Sequence, residues 1–503
     1  MAKTETELAD IQLGDMPADE FRAHLHRVAD WIADYRAQIE TQRITPELTP
    51  GEIAAQLSTT PPEHPTSFDE ILKDVDSQIM PGIVHWGHPK FLGYFGSTTT
   101  APGIIGEMMA AALNVSAMTW RTSPAATELE TVVLDWLRQM LGLPEAFQGI
   151  VYDTASVAVL HALAAAREAT GLSVRREGLA GRERVVPRLR IYASDQAHSS
   201  IEKAAIILGI GEANVRRVRS DKLFRLDVAA LRAAIDEDLR AGFKPFAVIA
   251  TVGTTSATSV DPVREIAAVS REYGLWLHVD AAYGGAMALL PEGRFVMDGV
   301  EEADSIVVNP HKWLFVPLDF SALYCRQPEK LREVFSLVPE YLQGDAMQAE
   351  RNYMDYGIQL GRRFRALKAW MVFRTFGREG IAARIREHCR LAQLFASWVE
   401  ADAKFELLAP VTMGVICFRV VRQSDLTEDA KREAENLDEY NQTLVEALNA
   451  TGKVYLTHTR LHGRLAARLA VGNVLTTEQH LRETWELIKK EAANAGSAGI
   501  LPA

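Results

Sequence analysis

The chain has 503 residues, 48% hydrophobic and 24% charged, a composition that excludes general disorder and supplies enough apolar surface for two or three substructures. Lys and Arg number 54 against 66 Asp and Glu, giving a net charge of −12, and the arginines are scattered rather than striped, which argues against a nucleic-acid partner. Cys325, Cys389 and Cys417 are odd in number and far apart, so neither a disulfide frame nor a zinc spacing is present and no metal is expected.

The start, MAKTETELADIQLGD, is acidic and lacks the basic and apolar regions of a signal peptide, and no run of 18 apolar residues follows anywhere. A cytoplasmic address with no membrane partner is expected. From Ala18 to about Arg43 the periodicity is helical, with Phe21, Leu25, Val28, Trp31, Ile32 and Tyr35 on one stripe that needs a cover. The segment ITPELTP through STTPPEHPTS is too rich in proline for regular helix. Together these read as an N-terminal arm that lies across another body, such as a second subunit.

The middle of the chain alternates short apolar runs with helical patterns: RLRIYAS then HSSIEKAAIILG, PFAVIATVG then VREIAAVSREYG, LWLHVDAA then SIVVN. Alternation of this kind predicts an α/β fold with a mostly parallel central sheet flanked by helices, and ligands at the carboxyl ends of the strands. Beyond about residue 375 a long helix, a strand near Gly414 to Val420 and helices on each side predict a small α+β C-terminal domain. The expected division is 1–85, 86–374 and 375–503.

Chemistry is sought at those strand ends. In SIVVNPHKWLF a buried strand is stopped by Pro310, and Lys312 follows at once; it reads either as a lysine snorkelling to solvent or as an amine made nucleophilic by desolvation. Asp280 ends LWLHVD, as a turn former or as the carboxylate that keeps a pyridine nitrogen protonated. Ala282 leaves room for a flat ring. Thr154 and Ser156, where VYDTAS meets a clean helix, form an ordinary cap or a phosphate seat. His198 in DQAHSS is a cap, a surface histidine or a stacking partner, and Thr255 in TVGTTSATSVDP stands at another strand end.

The set TELETVVLDWL, DTAS, DQAHSS, LHVDAAYGG, NPHKW and LGRRFRALK resembles the group II pyridoxal-phosphate decarboxylases, most closely the aromatic-L-amino-acid type. The resemblance runs from about Phe21 to the last helix. It implies the fold type I of pyridoxal-phosphate-dependent transferases, a homodimer, and pyridoxal 5'-phosphate as cofactor. Lys312 is then the Schiff-base lysine, Asp280 the partner of the ring nitrogen, His198 the stack above the ring and Ala282 the floor below. Thr154, Ala155, Ser156, Asn309 and His311 hold the phosphate, and Thr255 lies near the polar edge of the ring. Tyr341, in the glycine-bearing segment LVPEYLQGDAMQAERNYMDYG, is the loop tyrosine that protonates the substrate carbon after carbon dioxide leaves.

The implied activity is decarboxylation of aromatic L-amino acids such as phenylalanine, tyrosine, dopa or tryptophan to arylalkylamines. Trp86, Tyr94, Phe95 and Ser97 are the implied pocket lining, with Met118 reaching in from a second subunit. An acidic substrate wants a fixed arginine, and Arg121 keeps that alternative open. A glutamate, cysteine-sulfinate or histidine decarboxylase on the same fold is the main rival. An aldehyde synthase, an aminotransferase and an inactive cofactor-binding scaffold are the others. The chain departs from animal members of the family at Gly87, His88, Gly96, Asp153 and Met354, and in a lid two residues shorter.

Overall fold

The structure, a computed structural model, describes residues 14–96, 99–182, 184–337, 350–421 and 430–497, the side chains of 430–436 and 495–497 excepted. It divides into two compact units, one ending at His88 and the other starting at Pro89.

In the first unit, helix α1 (Ala18–Ala37) carries Asp19 and Glu20 in its first turn and Arg36 in its last, each matching the helix dipole. It stops well short of Arg43. The Thr41 hydroxyl takes the Gln38 carbonyl at 2.8 Å, and the chain tightens into a single 3-10 turn, Ile39–Thr41. None of the α1 residues is fully buried; Val28, Trp31, Ile32 and Tyr35 are half-buried, whereas Phe21 and Leu25 are exposed at 55% and 40%, so the N-terminal end of the predicted stripe is uncovered within this unit. The proline-rich segment, expected to lack regular helix, carries one short helix, Glu52–Gln56, started by Gly51 at a φ of 100°.

The second unit is built on a seven-stranded sheet: β1 (Gln148–Tyr152), β2 (Leu189–Ser194), β3 (Val215–Val218), β4 (Lys244–Thr251), β5 (Trp276–Asp280), β6 (Ser305–Val308) and β7 (Ser321–Cys325). The spatial order is β1-β7-β6-β5-β4-β2-β3, and β7 alone runs against the others. Every residue of β5, β6 and β7 is buried, as a parallel sheet covered on both faces requires. Helix α2 (Ala101–Leu113) packs on the later helix Ala366–Ala401, and the helices that cover the sheet are α3 (Pro124–Leu141), α4 (Ala155–Ala169), α5 (Ser200–Ile207), α6 (Val228–Arg240) and α7 (Val263–Tyr273). Amphipathic α7 turns Ile266, Ala267 and Val269 to the core. Each large side chain so buried contributes roughly 1.5–3 kcal/mol.

A four-residue helix, α8 (Pro310–Trp313), follows β6 directly. Helix α9 (Ala366–Ala401) is interrupted at Gly377, whose φ of 62° breaks the helical path. It starts earlier than the long helix expected beyond residue 375. The remaining strands, β8 (Phe405–Leu407), β9 (Val415–Val420), β10 (Thr457–Leu461) and β11 (Arg464–Ala470), form an antiparallel sheet in the order β10-β11-β9-β8. Leu391 and Phe395 of α9, Leu444 and Leu448 of α10 (Ala430–Ala450), and Trp485 and Ile488 of α11 (Glu478–Ser497) share one apolar cluster with Phe418 of this sheet. Among the described residues no helix is long and apolar enough to cross a membrane.

Candidate active site

Parallel register sets Thr251 of β4 beside Asp280 of β5, and Asp280 beside Val307 of β6, so three strand ends open on one edge of the sheet. Asp280 is buried, and its Oδ1 accepts the Ala282 N–H at 3.1 Å. The Asn309 N–H donates to the Ala282 carbonyl at 3.1 Å, tying the loop after β5 to the loop after β6. Lys312 then donates its own N–H to the Asn309 carbonyl at 2.9 Å. Burial holds the Lys312 amine below the ordinary lysine range; Asp280 draws it up, and Arg468 presses it further down.

His198 lies between β2 and α5, and its Nδ1 accepts the Ser200 N–H at 3.1 Å. Burial lowers its pKa, with Asp280 opposing and Lys312 adding to the shift, so the three predicted residues share one electrostatic environment. The structure therefore brings Lys312, Asp280, Ala282, Asn309 and His198 together.

The predicted phosphate seat lies at the other side of this edge. Thr154 is the N-cap of α4, yet its side chain makes no capping bond, so the N–H groups of the first turn are left to another acceptor. Thr154 and Ser156 are both exposed there. Asn309 Oδ1 accepts from the Ser321 hydroxyl at 2.6 Å, and Ser321 is the register partner of Tyr152, the last residue of β1. Asn309 thus stands one strand away from the turn that leads to Thr154. His311 accepts the Phe320 N–H at 2.9 Å, and burial, then Lys312, lower its pKa to about 3, keeping the ring neutral.

Of the predicted pocket lining, Phe95 reaches the site. Its ring stacks on Tyr283 at 3.9 Å, and Tyr283 stacks on Trp313 at 4.6 Å, forming a column behind the lysine. The Tyr94 ring instead meets Tyr455 and Phe91, and the residue joins the site through its carbonyl. Met118 is half-buried, its carbonyl accepting the Met354 N–H at 3.1 Å, and Arg121 is exposed. Trp86 belongs to the first unit and is exposed there. Ser97 and Tyr341 lie outside the described residues.

Two groups escaped the sequence reading. Arg468 of β11 is buried; its Nε donates to the Thr255 carbonyl at 3.0 Å and its Nη1 to the Tyr94 carbonyl at 2.6 Å, while Nη2 has no partner among the described residues. Thr255 therefore enters the site by its backbone. The available signal was an arginine inside the apolar strand LAARLAVG, the same anomaly that singled out Lys312. The second group is the buried pair Glu130–Arg362: Arg362 makes two bonds to the carboxylate, at 2.7 and 3.0 Å, and a third to the Val151 carbonyl at 2.8 Å. Glu130 also accepts the Val151 N–H at 3.1 Å, so the pair clamps β1 just before the phosphate turn.

These residues fit a phosphorylated pyridine aldehyde. A buried carboxylate suits a protonated ring nitrogen, a desolvated amine suits an aldehyde carbon, and an uncapped helix terminus suits a phosphate. Similarity to known proteins agrees. The family profile "Pyridoxal-dependent decarboxylase conserved domain" matches residues 50–421. The chain belongs to the pyridoxal-dependent decarboxylase family.

Tryptophan decarboxylase 1 of Oryza sativa subsp. japonica is 40% identical, with 94% of each chain covered. Phenylacetaldehyde synthase of Arabidopsis thaliana is 39% identical over 96% of this chain and 97% of its own. The crystal structure of Oryza sativa TDC with PLP and tryptamine superposes with a TM-score of 0.90 at 39% identity, covering 96% of this chain and 99% of that one. As a member of this pyridoxal-dependent decarboxylase family the chain is an amino-acid decarboxylase that uses pyridoxal 5'-phosphate, and it shares the fold of those enzymes.

Proposed function

We propose that this decarboxylase converts aromatic L-amino acids to arylalkylamines and carbon dioxide, with Lys312 as the covalent attachment point of the cofactor. The observation that carries the reading is the placement of the Lys312 amine, desolvated and within electrostatic range of Asp280 and Arg468, with its Nζ 5.1 Å from the centre of the Phe95 ring. The curated relatives named above, which by name act on or produce aromatic compounds, support the aromatic substrate class.

Bound there, pyridoxal 5'-phosphate supplies the electron sink for the bond pair released as carbon dioxide departs. Asp280 would hold a proton on the cofactor's pyridine nitrogen, and His198 and Ala282 would be the residues that flank its ring. Nη2 of Arg468, which has no partner among the described residues, is the group for the substrate carboxylate, since Nε and Nη1 already bond carbonyls. Phe95 offers an apolar face to an aromatic side chain. Tyr341 is proposed to deliver the proton to the substrate carbon.

Two exposed apolar faces support a homodimer: Phe21 and Leu25 on α1 in the first unit, and Ile105, Met109 and Leu113 at helical spacing on α2 in the second. Met118 serving a neighbouring subunit's pocket belongs to the same proposal.

The test is product analysis over L-phenylalanine, L-tyrosine, L-dopa, L-tryptophan, L-histidine, L-glutamate and cysteine sulfinate, with carbon dioxide, amine, aldehyde and peroxide followed together. Equal amine and carbon dioxide from aromatic substrates alone support the proposal. Turnover confined to acidic substrates overturns the aromatic pocket. Aldehyde with peroxide assigns the chain to the aldehyde-producing branch and removes Tyr341 from the proton-transfer role.

A further inference from the structure

The residue between β1 and the N-cap Thr154 of α4 is a carboxylate, Asp153, directly beside the expected seat of the cofactor phosphate. Its Oδ1 accepts the Thr154 N–H at 2.7 Å and lies 3.5 Å from the Thr154 hydroxyl. A carboxylate there is well placed for the cofactor-free chain, because α4 has no acidic residue in its first turn and no cap from Thr154. A phosphate dianion at the same terminus meets a like charge.

The surroundings do not cancel that charge. His161, which Asp153 influences electrostatically, is driven down to about 4 by burial and stays neutral; its Nδ1–H bonds the Val157 carbonyl at 2.6 Å and its Nε2 accepts the Ile358 N–H at 3.1 Å. Arg362 reaches the Val151 carbonyl, two residues before Asp153, but is neutralised by Glu130. Among the described residues Asp153 has no ion pair of its own at salt-bridge distance.

We propose that Asp153 is an affinity-setting residue of the cofactor site: it holds the phosphate seat in the absence of cofactor and weakens phosphate binding by charge repulsion, making the cofactor more readily exchanged. The proposal rests on the α4 terminus being the phosphate seat. It is specific to the phosphate, because a ligand without one neither competes for the Thr154 N–H nor meets the repulsion.

The experiment titrates the full-length cofactor-free protein with pyridoxal 5'-phosphate and, separately, with pyridoxal, following tryptophan fluorescence and the visible band of bound ligand. Wild type, Asp153→Asn, Asp153→Gly and Ser156→Ala are compared at low and high salt. Loss of the charge in Asp153→Asn and Asp153→Gly tightens pyridoxal 5'-phosphate roughly five- to tenfold at low salt, with less gain at high salt and pyridoxal unchanged. A ratio of the two affinities that stays at the wild-type value in Asp153→Asn overturns the proposal, as does a weakened phosphate ligand, which marks Asp153 as a structural cap. Ser156→Ala separates the two levels: it weakens the phosphate ligand alone if the seat is at α4. An unaltered phosphate affinity in Ser156→Ala means that the seat lies elsewhere, and the role of Asp153 falls with it.

Discussion

Lys312 and Arg468 address the same aromatic ring: Nζ of the lysine lies 5.1 Å, and the guanidinium carbon of the arginine 4.7 Å, from the centre of Phe95. The two cations repel, as the depressed basicity of the Lys312 amine beside Arg468 records, and an anion bound near both lowers the charge cost of each. An amino-acid carboxylate is such an anion. Arg468→Met is expected to raise KM for the amino acid about ten- to a hundredfold, the range of a charge-assisted hydrogen bond, and to move the titration of the Lys312 amine upward. Steady-state kinetics together with a pH titration of the free enzyme check both. An unchanged KM removes Arg468 from substrate binding.

Acid sensitivity follows from four buried imidazoles. Burial drives His161, His278 and His388 down to about 4 and His311 to about 3, whereas an unfolded chain protonates them near 6.5. Between those values the unfolded state binds more protons, so stability rises with pH and is lost as pH falls from 6.5 towards 4. Each group contributes up to about 1.4 kcal/mol per pH unit in that window. Asp261, pushed up to about 7 by burial, and Asp304, also raised by burial, act in the opposite sense, and two carboxyls do not offset four histidines. Melting temperature measured from pH 7 to pH 5 is expected to fall; a flat profile contradicts the neutral burial of these rings.

Much of this site was legible because buried parallel strands are short apolar runs, and a charged residue at the end of one stands out. RLRIYAS, LWLHVD and SIVVN each contain an observed strand and PFAVIATVG all of β4 but its first residue, and Lys312, Asp280 and His198 converge at their ends. Arg468 was missed because β11 lies more than 150 residues further along, and no periodicity links the two sheets; the bond from Arg468 to the Thr255 carbonyl is a purely tertiary fact. The end of α1 was misjudged for a local reason, since a threonine hydroxyl competing for one carbonyl leaves hydrophobic periodicity unchanged. Tyr94 has the residue type for a pocket wall, but its ring joins Tyr455. Sequence pattern does not fix the direction of such a side chain.

The Glu130–Arg362 pair sets another expectation. Glu130→Gln leaves the Arg362 guanidinium buried without its countercharge, at a cost of about 3–5 kcal/mol. Chemical denaturation is expected to show that loss together with faster release of cofactor, because both ends of the pair hold the Val151 backbone. Replacing both residues, Glu130→Leu with Arg362→Met, is expected to recover part of the stability. A single variant as stable as wild type contradicts the clamp.

Among the described residues two lysines, Lys312 and Lys368, have their basicity depressed by desolvation, and they distinguish the proposed chemistry from a coincidence of burial. Lys368 is 1% exposed, but its amine is already bonded to Glu107, whereas Lys312 faces Asp280, Arg468 and His198. The most direct measurement is therefore borohydride reduction of the cofactor-loaded enzyme followed by peptide mapping. Pyridoxyl label on the peptide bearing Lys312, and its absence from Lys312→Ala, is the predicted result. Label on Lys368 or another lysine, or an unaltered visible band in Lys312→Ala, contradicts the assignment of the site.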